Sequence, residues 1–491
     1  MFIFARGREF MPWRGTQTVL VILMGLFLAS CIAIASDLVA PLYAFGLGLT
    51  PLSAGFAAMI CFIGFIVTRY AALQFRDESD SSKFWRRLVA TIAAILLTAI
   101  ADHFLLFWLG WVSVSLTLHR LLVFYPERPR AMLAAHKKFI FARIAETLLA
   151  VTLVSLYFIY DIHSISQLPQ ISDPSVSNWL AFLLVTVAAM KCAQLPVHGW
   201  LLQVVEAPTP VSALLHAGII NLGGYLLLQF APLLTPAEGA RWLLAIVAGL
   251  SMLVAASVTM TRISVKVRLA WSTVAQMALM LVEISLGFYA LAALHLLAHS
   301  CYKAYSFLSA GSVVEQGERQ QFAQLKLPRV KGLLLASVLA LALVALAAWL
   351  FGAQLYFAPW LAVGMALALW LASEIDYFGR RHGLRTALIA AFWLGLYVAG
   401  AWLFTLLLPA PYSGHYLLGI DLWVCLVLLG IAAVYLWLLY RPRRALGHRL
   451  FIALNAGLYL DEWATRFSLR LWPLSLPSAT APANTRKGDR A

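Results

Sequence analysis

Apolar blocks of about 20 residues recur along this chain, and each is followed by a break that is either rich or poor in lysine and arginine. Twenty residues of α-helix cross a hydrocarbon core about 30 Å thick. The basic breaks include Arg76–Arg87, Arg120–Lys138, Arg262–Arg268, Lys326–Lys331, Arg380–Arg385 and Arg441–Arg444. Between them lie breaks almost free of basic residues, at 37–53, 102–104, 161–178, 352–358 and 409–420. That alternation is the positive-inside signature of a polytopic membrane protein. With 62% hydrophobic and 12% charged residues, the chain lacks the polar surface of a soluble fold of this length. A net charge of +15 is spent on one membrane face, so no nucleic-acid partner is expected; the contact implied is membrane lipid.

Following the alternation gives an all-α polytopic protein of about 14 transmembrane helices with both termini cytoplasmic. The spans that matter below are placed at 88–101, 139–160, 178–206, 210–232, 289–312 and 332–351. The N-terminus lacks an apolar stretch leading to a small-residue cleavage site, so no cleavable signal is expected. The five cysteines lie in or beside apolar blocks without CxxC pairing and read as small core residues. Organisation follows: N-terminal helices over 1–90, a core over 90–315, a reduced helical region over 316–444, an amphipathic helix over 445–475, and a small, polar, disordered tail over 476–491.

Ionisable residues inside these blocks need a reason, because one at mid-bilayer costs on the order of 3 kcal/mol on insertion scales. Lys191 falls near the middle of 178–206, and Pro196 follows it. The proline removes a helix hydrogen bond and presses on the carbonyl of Cys192, so the helix is expected to break near 191–196. Such a break is tolerated where it lines a cavity, and its freed carbonyls suit a cation. In 210–232, Thr209 can cap, Pro210 suits the first turn, and His216 follows about two turns in. Gly218, Gly223 and Gly224 allow close helix approach. His295, His299 and Lys303 repeat every four residues along one helix face. A zinc site at His295 and His299 is not expected, because HxxxH lacks the glutamate of HExxH and a third ligand.

Further candidates are Asp102 with His103 at the turn between spans three and four, Glu206 at the end of the broken helix, and Lys266 at a helix start. Glu146 follows Arg143 by three residues; it suits a local ion pair or a counter-charge for Lys191. Glu283 shares a face with Gln276. One of Asp102, Glu146 and Glu206 is expected within a short water chain of Lys191.

The strings "KCAQLPVHGWL", "PTPVSALLHAG", "KVRLAWSTVAQM" and "LHLLAHSCYKAYSFLSAGSVV", with "ADHFLLFWLGW", resemble the antiporter-like subunits of NADH:quinone oxidoreductase and of Mrp cation/proton antiporters. The resemblance implies that Lys191 is the central broken-helix lysine, His216 its partner, and His295, His299 and Lys303 the later relay. Asp102 and Lys266 also fall on family positions. Two departures stand out. Val112 occupies the place of the glutamate in the family's "GWE", and 332–352 carries no proline or ionisable group where a second broken helix is usual. Both suit the DabB-type membrane subunits of DAB inorganic-carbon complexes, which "HGWLLQVVEAPTPVSALLHAGIIN" and "YLDEWATRFSLRLWP" also resemble. That branch implies a bacterial inner-membrane subunit passing a cation, H⁺ ahead of Na⁺, down its gradient to energise uptake of CO2 and bicarbonate, with no catalysis or cofactor of its own. Its partner would be a large zinc-bearing, β-carbonic-anhydrase-like (DabA-type) subunit. Two alternatives are a proton-translocating respiratory or Mrp-type subunit, and a membrane scaffold with a vestigial path.

Overall fold

The computed structural model describes residues 2–171, 174–204, 207–312, 330–350, 356–378, 383–407, 416–440 and 445–473. Glu206 and the tail over 476–491 lie outside the described residues. Helices dominate because a lipid-facing backbone must satisfy its hydrogen bonds internally. In chain order they are α1 (Phe2–Ala35), α2 (Pro51–Gln74), α3 (Ser81–Ile100), α4 (Phe104–Leu122), α5 (Pro129–Tyr160), α6 (Pro174–Lys191), α7 (Gly199–Gln203), α8 (Thr209–Ala217), α9 (Leu222–Gln229), α10 (Ala231–Leu234), α11 (Glu238–Thr259), α12 (Val265–Ser285) and α13 (Tyr289–Leu308). There follow α14 (Val330–Leu350), α15 (Phe357–Phe378), α16 (Gly383–Leu407), α17 (Leu418–Tyr440), α18 (Ala445–Asn455) and α19 (Leu460–Leu471). A hairpin of β1 (Leu42–Ala44) and β2 (Leu47–Leu49) sits on the face poor in lysine and arginine.

Among the described residues, 11 helical segments are long and apolar enough to cross a membrane. The other three expected spans fall on α3, α6 and α13, which are helical but lie outside those 11. Two boundaries differ from the sequence reading in ways that matter. Span five begins at Pro129 and not at 139, which draws Lys137 and Lys138 out of the loop and into the bundle. The amphipathic helix expected over 445–475 is two helices, α18 and α19, joined by a bend where Gly457, Leu458 and Tyr459 all have positive φ.

The centre of the molecule is the stretch Thr209–Gln229. Every residue from 210 to 228 is buried, whereas in the apolar part of α1 over Pro12–Ala35 only 11% of the membrane-length window is. It is ringed by α2, α6, α12 and α13. It is also not the single helix expected over 210–232: α8 stops at Ala217, a 3₁₀ turn spans Ile219–Asn221, and α9 resumes at Leu222. The N-cap position is Pro208, and Thr209 is already helical. Gly223 brings α9 against α6; an added Cβ there would sit 2.5 Å from Cys192 Sγ and 2.8 Å from the Ala188 carbonyl. The later helices form a flank. α14 and α15 share a small core of Ala336, Ala340, Leu371 and Ala372, and α17 packs on α11, where Trp423 Nε1 donates to the Ala245 carbonyl at 3.0 Å. Asp421, fully buried, accepts from Phe357 N, Ala358 N and Tyr416 Oη, which makes it the cap that opens α15.

Candidate ion-translocation site

α6 ends at Lys191, where the sequence placed the break. The Cys192 carbonyl, which Pro196 deprives of its helical donor, is taken by Gln194 Nε2 at 2.8 Å. Ser251 Oγ of α11 accepts from Leu195 N at 3.0 Å. Ala193, with φ of 51°, turns the chain out of the helix before α7 begins at Gly199.

At the break, Lys191 Nζ lies 4.7 Å above the Trp111 ring. It lines a cavity of about 30 Å³ together with Trp111, Lys138, Glu146 and Trp200. A water needs roughly 10–15 Å³ of such space and two to four polar partners, so the cavity can hydrate Lys191. Glu146 is therefore the expected carboxylate. It also binds Arg143, whose Nη2 reaches its two carboxylate oxygens at 2.8 and 2.7 Å. Both readings of Glu146 hold at once, a local ion pair and a group facing Lys191. Lys138 is 5% exposed, and its Nζ donates to Ser115 Oγ at 2.9 Å, as Arg143 Nη2 does at 3.0 Å. Three basic side chains thus share one carboxylate. The positive charge of Lys191 is opposed by Lys138 and Arg143 and favoured by Glu146.

The second cluster lies where α8 meets α12 and α13. Thr273 Oγ1 donates to the Leu269 carbonyl at 3.0 Å, so His216 Nδ1 must donate to Thr273 Oγ1, also at 3.0 Å. This fixes the tautomer and leaves His216 Nε2 with a free lone pair and no partner among the described residues. The ring stacks on Phe307, 4.2 Å between centroids. Lys303 is fully buried, and its Nζ donates to Ser272 Oγ and to the Leu269 carbonyl. His299 is 4% exposed, and both its ring nitrogens lack partners among the described residues. Burying an unpaired polar atom costs about 1–3 kcal/mol, so a site holding several is one that water enters.

His295, one turn before His299 on α13, is held by α12. Its Nδ1 lies 3.1 Å from both Glu283 oxygens and its Nε2 3.0 Å from Gln276 Oε1. The α12 carboxylate and amide that share a face thus clamp it, and its ring meets His299 edge-on at 6.3 Å. Asp102 is remote from Lys191. Its carboxylate receives Ser166 N and Ser166 Oγ, both at 2.8 Å, on the lysine/arginine-poor face. Lys266 lines a cavity of about 320 Å³ on the basic face with Thr209, Arg128, Glu78 and Tyr125. There, burial and the bonded Glu78 carboxylate raise the Tyr125 phenol above its ordinary value.

Sequence reasoning missed four residues. Lys138 was hidden by its basic neighbours. His198, in the break itself, is buried with its ring 4.9 Å from Trp271; the string "LPVHGW" was the available signal. Lys137, fully buried, pairs with Asp461 of α19 at 2.7 Å. Gln203 of α7 also donates to Asp461, at 2.9 Å. The tail helix is therefore fastened to the second half of the broken helix. No group of three His, Cys, Asp or Glu among the described residues could hold a metal ion.

Comparison with known proteins follows this geometry. Residues 101–373 match the family described as "NADH:quinone oxidoreductase/Mrp antiporter, TM". A protein of Hydrogenovibrio crunogenus named "Probable inorganic carbon transporter subunit DabB" is 42% identical over 89% of this chain and 85% of its own length. "Probable inorganic carbon transporter subunit DabB2" of Halothiobacillus neapolitanus is 32% identical over 85% of this chain and 79% of its own. NADH-quinone oxidoreductase subunit L of Mycobacterium tuberculosis is 32% identical, but over 56% of this chain and 45% of that protein. The solved Mrp complex from Dietzia shares the fold, with a TM-score of 0.58 at 20% identity over 94% of this chain and 57% of that one. The chain belongs to the DabB-type membrane subunits, within the NADH:quinone oxidoreductase/Mrp antiporter family.

Proposed function

We propose that this chain is the H⁺-conducting membrane subunit of a bacterial inorganic-carbon transporter, with both termini in the cytoplasm. Downhill proton movement would keep CO2 hydration one-directional in a partner that carries zinc and resembles a β-carbonic anhydrase, so that bicarbonate accumulates inside. The observation that carries the reading is Lys191 at a broken helix, facing Glu146 across a cavity that admits water. The names of the closely matching relatives supply the substrate class. The uninterrupted α14, where pumping subunits carry a second broken helix, favours this reading over a respiratory one.

The test is growth in air against growth in high CO2. Deletion is expected to impose a high-CO2 requirement while respiration persists, and Lys191→Ala to reproduce the deletion although the subunit still inserts and co-purifies with a zinc protein. Growth of Lys191→Ala in air at the wild-type rate would reduce the chain to a scaffold. Loss of respiration would return it to the respiratory class.

A further inference from the structure

The proposed conduction leaves one question open in this chain: how ions reach the second membrane face when α14 is uninterrupted. Two cavities bear on it. That on the basic face, about 320 Å³, is bounded by Ala207, Pro208 and Thr209 at the start of α8. One on the lysine/arginine-poor face, about 270 Å³, is bounded by Tyr43, Asp102, Ser166 and Tyr289, with Gln229 at the end of α9. The stretch from Thr209 to Gln229 joins them. At 1.5 Å per residue it is about 30 Å long, the thickness of the hydrocarbon core.

This connecting stretch is buried and mostly apolar, but it carries Ser212, His216, Asn221, Tyr225 and Gln229 at intervals of four or five residues. Intervals of four return to one helix face. The single five-residue step falls on the 3₁₀ turn at Ile219–Asn221. Ser212 Oγ, His216 Nε2 and Asn221 Oδ1 have no partner among the described residues, nor do the two nitrogens of neighbouring His299. Asn221 Nδ2 donates to Ser300 Oγ, 2.7 Å away on α13, one residue from His299. Unpaired buried acceptors in a row mark a line of ordered water. At the far end the row closes. Gln229 Nε2 donates to Tyr225 Oη at 2.6 Å, Tyr225 Oη donates to the Ala99 carbonyl, and the Tyr225 ring stacks on Phe56 at 4.2 Å.

Resting on the proposed conduction, we infer that α8 and α9 form a complete transmembrane route within one helix bundle, and that the hydrogen-bonded Tyr225 and Gln229 are the polar exit it needs toward the Asp102 cavity. Protons enter from the Lys266 cavity, load Lys191 at the break, collect at His216, His299 and Lys303, and leave past Asn221, Tyr225 and Gln229, or travel the reverse way. Asp102, a carboxylate at the far mouth, attracts cations there.

The intact complex, reconstituted in vesicles under an imposed pH gradient, tests the route. Tyr225→Phe and Gln229→Leu are each expected to lower proton flux at least tenfold, comparable to Lys191→Ala. Labelling gives a reading independent of turnover: Gln229→Cys should react with a membrane-impermeant thiol reagent from the Asp102 side, and Ser212→Cys from the Lys266 side, both above the wild-type background. Wild-type flux in Tyr225→Phe and Gln229→Leu beside a dead Lys191→Ala would overturn the route and leave the conduction reading standing. Wild-type flux in all three would sink the conduction reading itself. An unreactive Gln229→Cys in a complex whose flux is intact would also overturn the route.

Discussion

Val112 stands where the family's glutamate is expected, and the structure supplies a carboxylate from a different helix. Glu146 of α5 faces the Lys191 cavity while holding Arg143. The two roles separate by substitution. Glu146→Gln is expected to lower proton flux at least tenfold, because the Lys191 cavity loses the one carboxylate that lines it among the described residues. Arg143→Gln leaves the buried Glu146 with Lys191 and Lys138 still beside it, and should cost about 1–3 kcal/mol of stability and keep most of the flux. Equal flux loss in both variants, measured in vesicles, would mean that Glu146 serves the ion pair alone. At this scale the sequence was legible where a residue type conflicts with its surroundings. Lys191 and His216 stand out in apolar blocks. Lys137 and Lys138 do not, since a buried lysine next to a basic loop carries the same letters as a solvated one. The Asp461 partner of Lys137 lies 324 residues away, a distance that no local pattern reads.

Two helix contacts decide whether the elements can meet. Gly223→Ala would push α9 off the α6 break, because backbone as well as Cys192 Sγ occupies the space. Overpacking of this kind costs about 1–3 kcal/mol; a lowered melting temperature in detergent and reduced flux are expected, whereas an unchanged melting temperature would mean the α6–α9 approach is looser than described. Gly199 makes the second contact. A Cβ there would lie 1.4 Å from Asp461 Oδ1, so Gly199→Ala must displace the carboxylate that Lys137 and Gln203 hold. Asp461→Asn leaves Lys137 buried without its anion. Either change should free α19, read as faster protease cleavage near residues 456–460. The double change Lys137→Met with Asp461→Leu should slow cleavage again, because it removes the charge together with its counter-charge; no recovery would show that the ion pair is not what seats the helix. Propensity and periodicity made the tail helical in the sequence reading. The bend at Gly457–Tyr459 and the docking on α7 depend on tertiary contacts and were out of reach.

Across the whole molecule, the alternation of basic and neutral breaks located every helix that later proved to surround the site, because inserting charge on the wrong side of a bilayer is penalised wherever it occurs. That rule reports which end of a helix faces which side. It says nothing of which helices touch, so the burial of 210–228 and the two cavities at its ends came from the structure alone. Titratable clusters lie in the part before residue 308, and α14–α17 add packing around it. The most direct test of this account is proton flux into vesicles containing the purified complex, wild type against Lys191→Ala, under the same imposed gradient. The account predicts rapid flux in the wild type and a rate at the level of protein-free vesicles in the variant; equal rates in the two would contradict it.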